Sequence, residues 1–297
     1  MNIKFKKSNL LSQHMLASVL WKVIRAVILL GLCYIILYPF FTKIMNAFKT
    51  VDDFLDPTVR FIPSEFTFEN IETVMYQMDY WPTLLNTILM AVGLGLIQMI
   101  ISAIVGYGLA RFKFKGNNLL FFIVIFTLIV PPQTILIPLF LKFRFFMGFI
   151  NLVETPLPMI ILSLTGLGLK NGLYIFLFRQ MFKNMPKELE EAAYLDGCGS
   201  FKTFTKIMLP SATSMMVTVF LLSFSWLWTD TTYSSLFLTD FPVLSNVVSS
   251  IGNSGVPIMA ANYKSIAAIL SILPIAILFI FAQKAFVQSI DRAGLVG

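Results

Sequence analysis

The residues of this chain that could do chemistry are few, and most lie inside apolar runs. There is one histidine, His14, and it stands outside every such run. No His-Glu-x-x-His zinc motif, Gly-x-Ser-x-Gly nucleophile turn or Gly-x-x-x-x-Gly-Lys-Ser/Thr phosphate loop occurs. Metal catalysis, acyl transfer and nucleotide hydrolysis therefore have no recognisable residues to carry them, and a solvated or headgroup position is the simpler reading of His14. What remains is a handful of polar groups within membrane-length apolar segments, where they are costly and often functional. Lys170-Asn171 is the plainest, flanked by Gly168 and Gly172. Both side chains could hydrogen-bond a hydroxyl-bearing solute in a translocation path. Alternatively, they mark a packing kink with Lys170 snorkelling or paired to a carboxylate. The Gly168-x-x-x-Gly172 spacing itself suits helix packing. Gln133 follows Pro131-Pro132, a pair that frees carbonyls and bends a span, which opens a cavity or only makes a kink. Trp226, Trp228 and Tyr233, with Asp230 among them, stand near the outer end of another run. Aromatic faces there could stack on a solute ring or serve as interfacial anchors.

The elements that hold these residues follow from composition. Of 297 residues 57% are hydrophobic and 12% charged, against about 25% charged in soluble domains. We therefore expect an all-α integral membrane protein. A span needs about 20 mostly apolar residues, and six candidates appear near Val23–Thr42, Leu84–Ala110, Leu119–Leu141, Leu157–Phe178, Ile207–Trp228 and Ser265–Phe286. This gives an N-terminal segment 1–22, a six-span domain 23–286 and a tail 287–297. The net charge of +7 is spread over the ends of the runs and forms no single patch, so nucleic acid is not indicated. With both termini inside, fifteen Lys and Arg fall on the cytoplasmic side and six outside, Lys170 being left within a span. The positive-inside rule then favours cytoplasmic termini. The basic N-terminus before Ala26–Phe41 reads as an uncleaved first span, with a cleaved signal peptide as the minor alternative. Cys33 and Cys198 offer no disulfide framework and read as free thiols.

One polar stretch separates the fourth and fifth runs: Pro186-Lys187-Glu188-Leu189-Glu190-Glu191-Ala192-Ala193-Tyr194-Leu195-Asp196-Gly197-Cys198-Gly199-Ser200, continuing to Ile207-Met208-Leu209-Pro210. Asn184 can cap a helix here and Pro186 suits its first turn. Glu188, Glu190 and Glu191 complement the positive end of the helix dipole. Gly197 ends the helix, and Ser200 can cap a second, on which Phe201 and Phe204 share a face. Leu189, Ala192 and Ala193 fall on one face of the first helix with Asp196 a turn further on, a shallow surface suited to close approach by another protein.

This stretch resembles the EAA loop of ABC-importer permease subunits. The resemblance is carried by Glu191-Ala192-Ala193, Asp196-Gly197 and Ile207 through Leu209-Pro210. It extends to Phe61 through Asn70, Gly106-Tyr107-Gly108-Leu109-Ala110-Arg111-Phe112, Pro131-Pro132-Gln133 through Phe140, and the tail Phe286 through Gly294, which are similar to maltose-type sugar permeases of the shorter, G-type form. The resemblance implies a type I importer permease fold with six spans and a cytoplasmic coupling helix (loop 179–206). It also implies a bacterial or archaeal cytoplasmic membrane, and alternating access that moves a carbohydrate, first of all an oligosaccharide, inward. Its implied partners are two ATP-binding subunits, a second and different permease, an external substrate-binding protein and membrane lipid. No cofactor is implied for this chain, since ATP and Mg would be bound by the partner ATPase. Glu191, Ala192, Ala193, Asp196 and Gly197 would couple to that ATPase, while Gln133, Lys170, Asn171, Trp228 and Asp230 would lie along the substrate path. Two departures stand out. Ser211-Ala212-Thr213-Ser214 replaces a family proline after Leu209-Pro210, and Trp228-Thr229-Asp230 replaces the usual Trp-Asn-Asp. The first touches the bend into the fifth span and the second touches specificity. A polyol, sugar phosphate or modified uronide remains open as the solute. A secondary transporter would call for inverted repeats or several membrane carboxylates, which are not seen, and an intramembrane enzyme for a catalytic pair.

Overall fold

A computed structural model of the chain describes the backbone of residues 3–252 and 259–294 and the side chains of 18–252 and 259–283. The side chains of His14, Lys284, Arg292 and the rest of the 286–294 tail fall outside that set. All regular elements among the described residues are helical. Contacts divide the chain into two units, 1–74 with 254–266 and 75–253 with 267–297.

In the first unit, α1 (Ile3–Ala47) is one continuous helix carrying Pro39, so the boundary expected at residue 22 falls inside an unbroken element. The segment expected to be a polar connection carries two short helices, α2 (Val51–Leu55) and the start of α3 (Glu69–Gln77). Thr50 and Asp53 form a reciprocal capping box at the start of α2, which satisfies two donors that the first turn leaves open. The other oxygen of Asp53 accepts from the hydroxyl of Ser64. Buried Lys49 donates to the carbonyls of Val59 and Arg60 at 3.1 and 3.0 Å, and buried Asn70 donates to those of Ala47 and Lys49 at 3.2 and 2.6 Å. Side chains thus do the work of backbone ladders in fixing this lobe.

The second unit is built on α4 (Tyr80–Arg111). Around it come α5 (Asn117–Ile129), α6 (Leu136–Arg144), α7 (Leu157–Leu164), α8 (Asn171–Asn184), α9 (Glu188–Leu195), α10 (Ser200–Thr203), α11 (Leu209–Ser211), α12 (Thr213–Thr229), α13 (Thr232–Phe237), α14 (Leu244–Ser250) and α15 (Ala260–Gly294), which begins in the first unit. Helices α7, α8 and α12 pack along α4. The core joins Met99, Ala103 and Tyr107 to Tyr174, Phe178 and Phe182, and to Phe204, Met208, Met215 and Val219.

The six expected spans fall on helices, but among the described residues three helices are long and apolar enough to cross a membrane unbroken: Ser18–Ala47 of α1, α4, and Ala260–Gln283 of α15. The third run breaks after Ile129, where Pro131 and Pro132 lead into a 3-10 turn before α6, because a proline disfavours helix in the residue before it. The fourth breaks between α7 and α8, at residues 165–170. The fifth bends by 77° between Ser200–Ser211 and Thr213–Thr229. A π-helical turn, Phe204–Met208, precedes that bend, and Ala212 has left helical geometry.

Candidate functional site

The polar stretch forms α9, with details that differ from expectation. Met185 is extended because it precedes Pro186. Asn184 therefore closes α8 and does not cap α9, whose N-cap is Lys187, with Pro186 just outside. Gly199, not Ser200, is the N-cap of α10. Glu188, Glu190 and Glu191 occupy the first turn of α9. Gly197 takes φ +77°. Its N–H bonds the Tyr194 carbonyl at 3.0 Å while that of Cys198 bonds Ala193 at 2.9 Å, the paired bonds of a glycine-terminated helix.

Which residues face outward also differs. Ala193 is buried at 2% exposure and Glu190 at 8%, whereas Glu188, Glu191, Ala192 and Asp196 are exposed and Leu195 is 89% exposed. Each residue turns the helix by 100°, so the two alanines point different ways, and Glu188, Glu191, Ala192 and Leu195 make the open face. Phe201 is 80% exposed while Phe204 turns into the core, where its ring lies 4.8 Å from that of Tyr107. They do not share a face.

For Glu190 sequence reasoning found a helix-dipole role and missed its inward contacts. Its Oε1 accepts from the Tyr107 hydroxyl at 2.8 Å, and its Oε2 lies 3.5 Å from Arg111 Nε. Arg111 also donates to the Met185 carbonyl at 2.7 Å. A buried carboxylate thus fastens α9 to the end of α4. The available signal was Glu190 standing three residues before Ala193, on the same inward stripe.

The second group of candidates lies deeper. Lys170 occupies the break before α8 with φ +62°, and its Nζ sits 4.8 Å from the centre of the Trp226 ring. Asn171 is 1% exposed. Its Nδ2 donates to Ser102 Oγ at 3.0 Å, and its Oδ1 has no partner. Beside it, Gln98 donates to Ser163 Oγ at 3.2 Å and accepts from Ser223 at 2.7 Å. Gly168 lets the break approach this cluster, since a Cβ there would stand 2.6 Å from Asn171 Oδ1 and 2.7 Å from Gln98 Nε2. Gly172 does the same for α5, where a Cβ would meet Thr127 Oγ1 at 2.5 Å. The other candidates are placed apart from this cluster. Trp228 is buried, its Nε1 donating to the Ser271 carbonyl at 3.0 Å. Asp230 is buried and accepts from the N–H groups of Thr232, Tyr233 and Ser234 at the start of α13. Gln133 is exposed in the 3-10 turn. Both cysteines are free.

Comparison with known proteins places this architecture. The family described as binding-protein-dependent transport system inner membrane component matches residues 98–292. The chain is 28% identical over 275 residues to an arabinooligosaccharides transport system permease protein of Halalkalibacterium halodurans, covering 90% of this chain and 93% of that protein. It is 31% identical over 274 residues to a maltodextrin transport system permease protein of Streptococcus pneumoniae, covering 90% and 92%. A chain of a bacterial ABC transporter involved in alginate import superposes with a TM-score of 0.74 at 22% identity, over 91% of this chain and 98% of that one. With its apolar helices, broken spans and polar stretch between α8 and α12, the chain is a membrane permease belonging to the binding-protein-dependent transport system inner membrane component family.

Proposed function

We propose that this chain is one of two permease subunits of an ATP-driven importer that moves a carbohydrate, first of all an oligosaccharide, across the cytoplasmic membrane. Six crossings are then made by α1, α4, α5 with α6, α7 with α8, α12 and α15, with both termini in the cytoplasm. The observation that carries the reading is the two-sided design of α9. Its inner side is tied to α4 through Glu190, and its outer side offers Glu191, Ala192 and Leu195 to a partner. Such a helix transmits motion: what pulls on the outer face pulls on α4. ATP and Mg belong to two partner ATPase subunits, and solute arrives from an external binding protein. Asp196 and Gly197 shape the end of the docking helix. The carbohydrate assignment is supported by the relatives, whose names include arabinooligosaccharide and maltodextrin permeases.

The substrate path follows Lys170, with Gln133 accessible at the Pro131-Pro132 turn. Asn171, Trp228 and Asp230 act from behind it, through the contacts they make within this chain. The test is purification of the chain from native membranes with its associated proteins identified. The expected set is an ATPase, a second permease and a solute-binding protein, with uptake that stops when ATP is withdrawn. Uptake by the isolated chain without ATP would overturn the reading and favour a secondary transporter.

A further inference from the structure

Lys170 presents an electrostatic problem that points to the chemistry of the solute. At about 1.5 Å per residue, Lys170 stands about 20 Å along α8 from Asn184, and Trp226 stands about 20 Å along α12 from Thr213. In the six-crossing reading Lys170 then lies on the outer side, at the start of α8, and Trp226 in the last turn of α12, near its outer end. Among the described residues no carboxylate forms an ion pair with Lys170. Asp230, one turn beyond Trp226, has both oxygens engaged by backbone N–H groups. The contact found for the ammonium is the Trp226 ring, worth about 0.5–2 kcal/mol, and it supplies no counter-charge. A half-buried Lys170 beside a Trp226 that is 44% exposed leaves the ammonium and part of the ring open to a further partner. The N-terminus of α8 begins at Asn171, and its dipole adds positive potential at the same place. Helix N-termini are a means of holding anionic groups.

We propose that Lys170 and Trp226 form a subsite for an acidic sugar, the ammonium taking the anionic group and the indole ring stacking on the sugar face. This rests on the reading of the chain as a carbohydrate importer subunit. The cluster of Gln98, Ser102, Ser163, Asn171 and Ser223 stands behind the break and fixes the backbone from which Lys170 projects. A neutral sugar can accept a hydrogen bond from the ammonium but brings no counter-charge, so selection for charge is the effect to look for.

The experiment uses cells carrying the whole transporter. They are given a mixture of uronate-containing oligosaccharides from pectin and glucuronoxylan, the carboxyl-reduced counterparts of those sugars, and hexose phosphates. Depletion of each is followed by mass spectrometry, and ATPase association is checked in parallel. Wild type is expected to take up uronate-bearing species in preference to their reduced counterparts. Lys170→Met is expected to lower that uptake by about tenfold or more, as for loss of a charge-assisted hydrogen bond. Lys170→Arg and Trp226→Tyr retain a large part of it, with membrane abundance unchanged. Preferential depletion of hexose phosphates, lost in Lys170→Met, would also support the subsite and identify phosphate as the anion. Preference for the reduced sugars, or a Lys170→Met transporter with an unchanged profile, would overturn the proposal while leaving the importer reading intact. No depletion together with no associated ATPase would overturn both.

Discussion

Glu190 and Glu191 are neighbours in sequence, and one helical step sends them to different environments. Glu190 is buried against Tyr107 and Arg111, while Glu191 faces outward. Removing Glu190 leaves the Arg111 guanidinium, whose side chain is 7% exposed, without its counter-charge. A cost of about 3 kcal/mol follows for the docking of α9 on α4. Glu190→Ala is therefore expected to lower permease abundance or thermal stability in detergent, and Glu190→Gln to be milder because its amide oxygen still accepts from Tyr107. Glu191→Ala should leave stability unchanged and lower only transport and substrate-stimulated ATPase activity. Equal stability of Glu190→Ala and Glu191→Ala would show that the inward tie is unimportant. At Gly197 nothing lies within 4 Å of an added Cβ, so the penalty for substitution there is conformational. The φ of +77° costs an L-residue about 1–2 kcal/mol, and more for a β-branched one. Gly197→Val is expected to insert normally, distort the end of α9 and reduce coupling. Normal transport by that variant would remove the turn from the mechanism.

At the scale of elements, the lobe of residues 47–70 carries a built-in acid sensitivity. The hydrogen bond from Ser64 foremost, with backbone N–H groups of Thr50 and Ser64, holds the Asp53 carboxyl below the usual range. A depressed carboxyl pKa contributes stability that is fully present above the unfolded value, about 3.9, and is lost as pH falls through the folded value. Hydrogen exchange across residues 50–70 should therefore accelerate as pH falls below about 4 once intrinsic rates are corrected. Asp53→Asn should flatten that dependence. An identical profile in both forms would contradict the assignment. Gly172 tests a second element contact. A side chain there would drive α8 from α5 at Thr127, an overpacking cost of about 1–3 kcal/mol, so Gly172→Leu should lower the melting temperature, and an unchanged value would argue against close contact.

Across the whole molecule, hydropathy marked the apolar runs, and among the described residues three of them are unbroken helices long and apolar enough to cross a membrane, since burial in lipid demands long apolar runs whatever their internal geometry. It did not reveal where those runs break. Pro131-Pro132 marks the third-run break by residue type, whereas the break before α8 packs against polar partners distant in sequence, such as Gln98 with Ser163 and Ser223. A pattern of apolar residues carries no record of such pairings. The polar stretch was legible in another way: its acidic first turn and terminal glycine are local signals, and they predicted a helix that the structure contains. Its facing was harder to read. Ala192 and Ala193 are the same residue type, and only the packing against α4 decides which one is open. For Trp226 the sequence leaves open a stacking face or an interfacial anchor, because its contact with Lys170 joins residues far apart in the chain.

The central claim is that the outer face of α9 docks on an ATPase subunit. The most direct test is single-cysteine crosslinking in the complete transporter, with Cys33 and Cys198 first replaced by serine. Ala192→Cys and Leu195→Cys should crosslink to the ATP-binding subunit, and Ala193→Cys, on the buried side, should not. Failure of both outward positions to crosslink in a complex that still imports, or equal crosslinking at Ala193, would contradict the account.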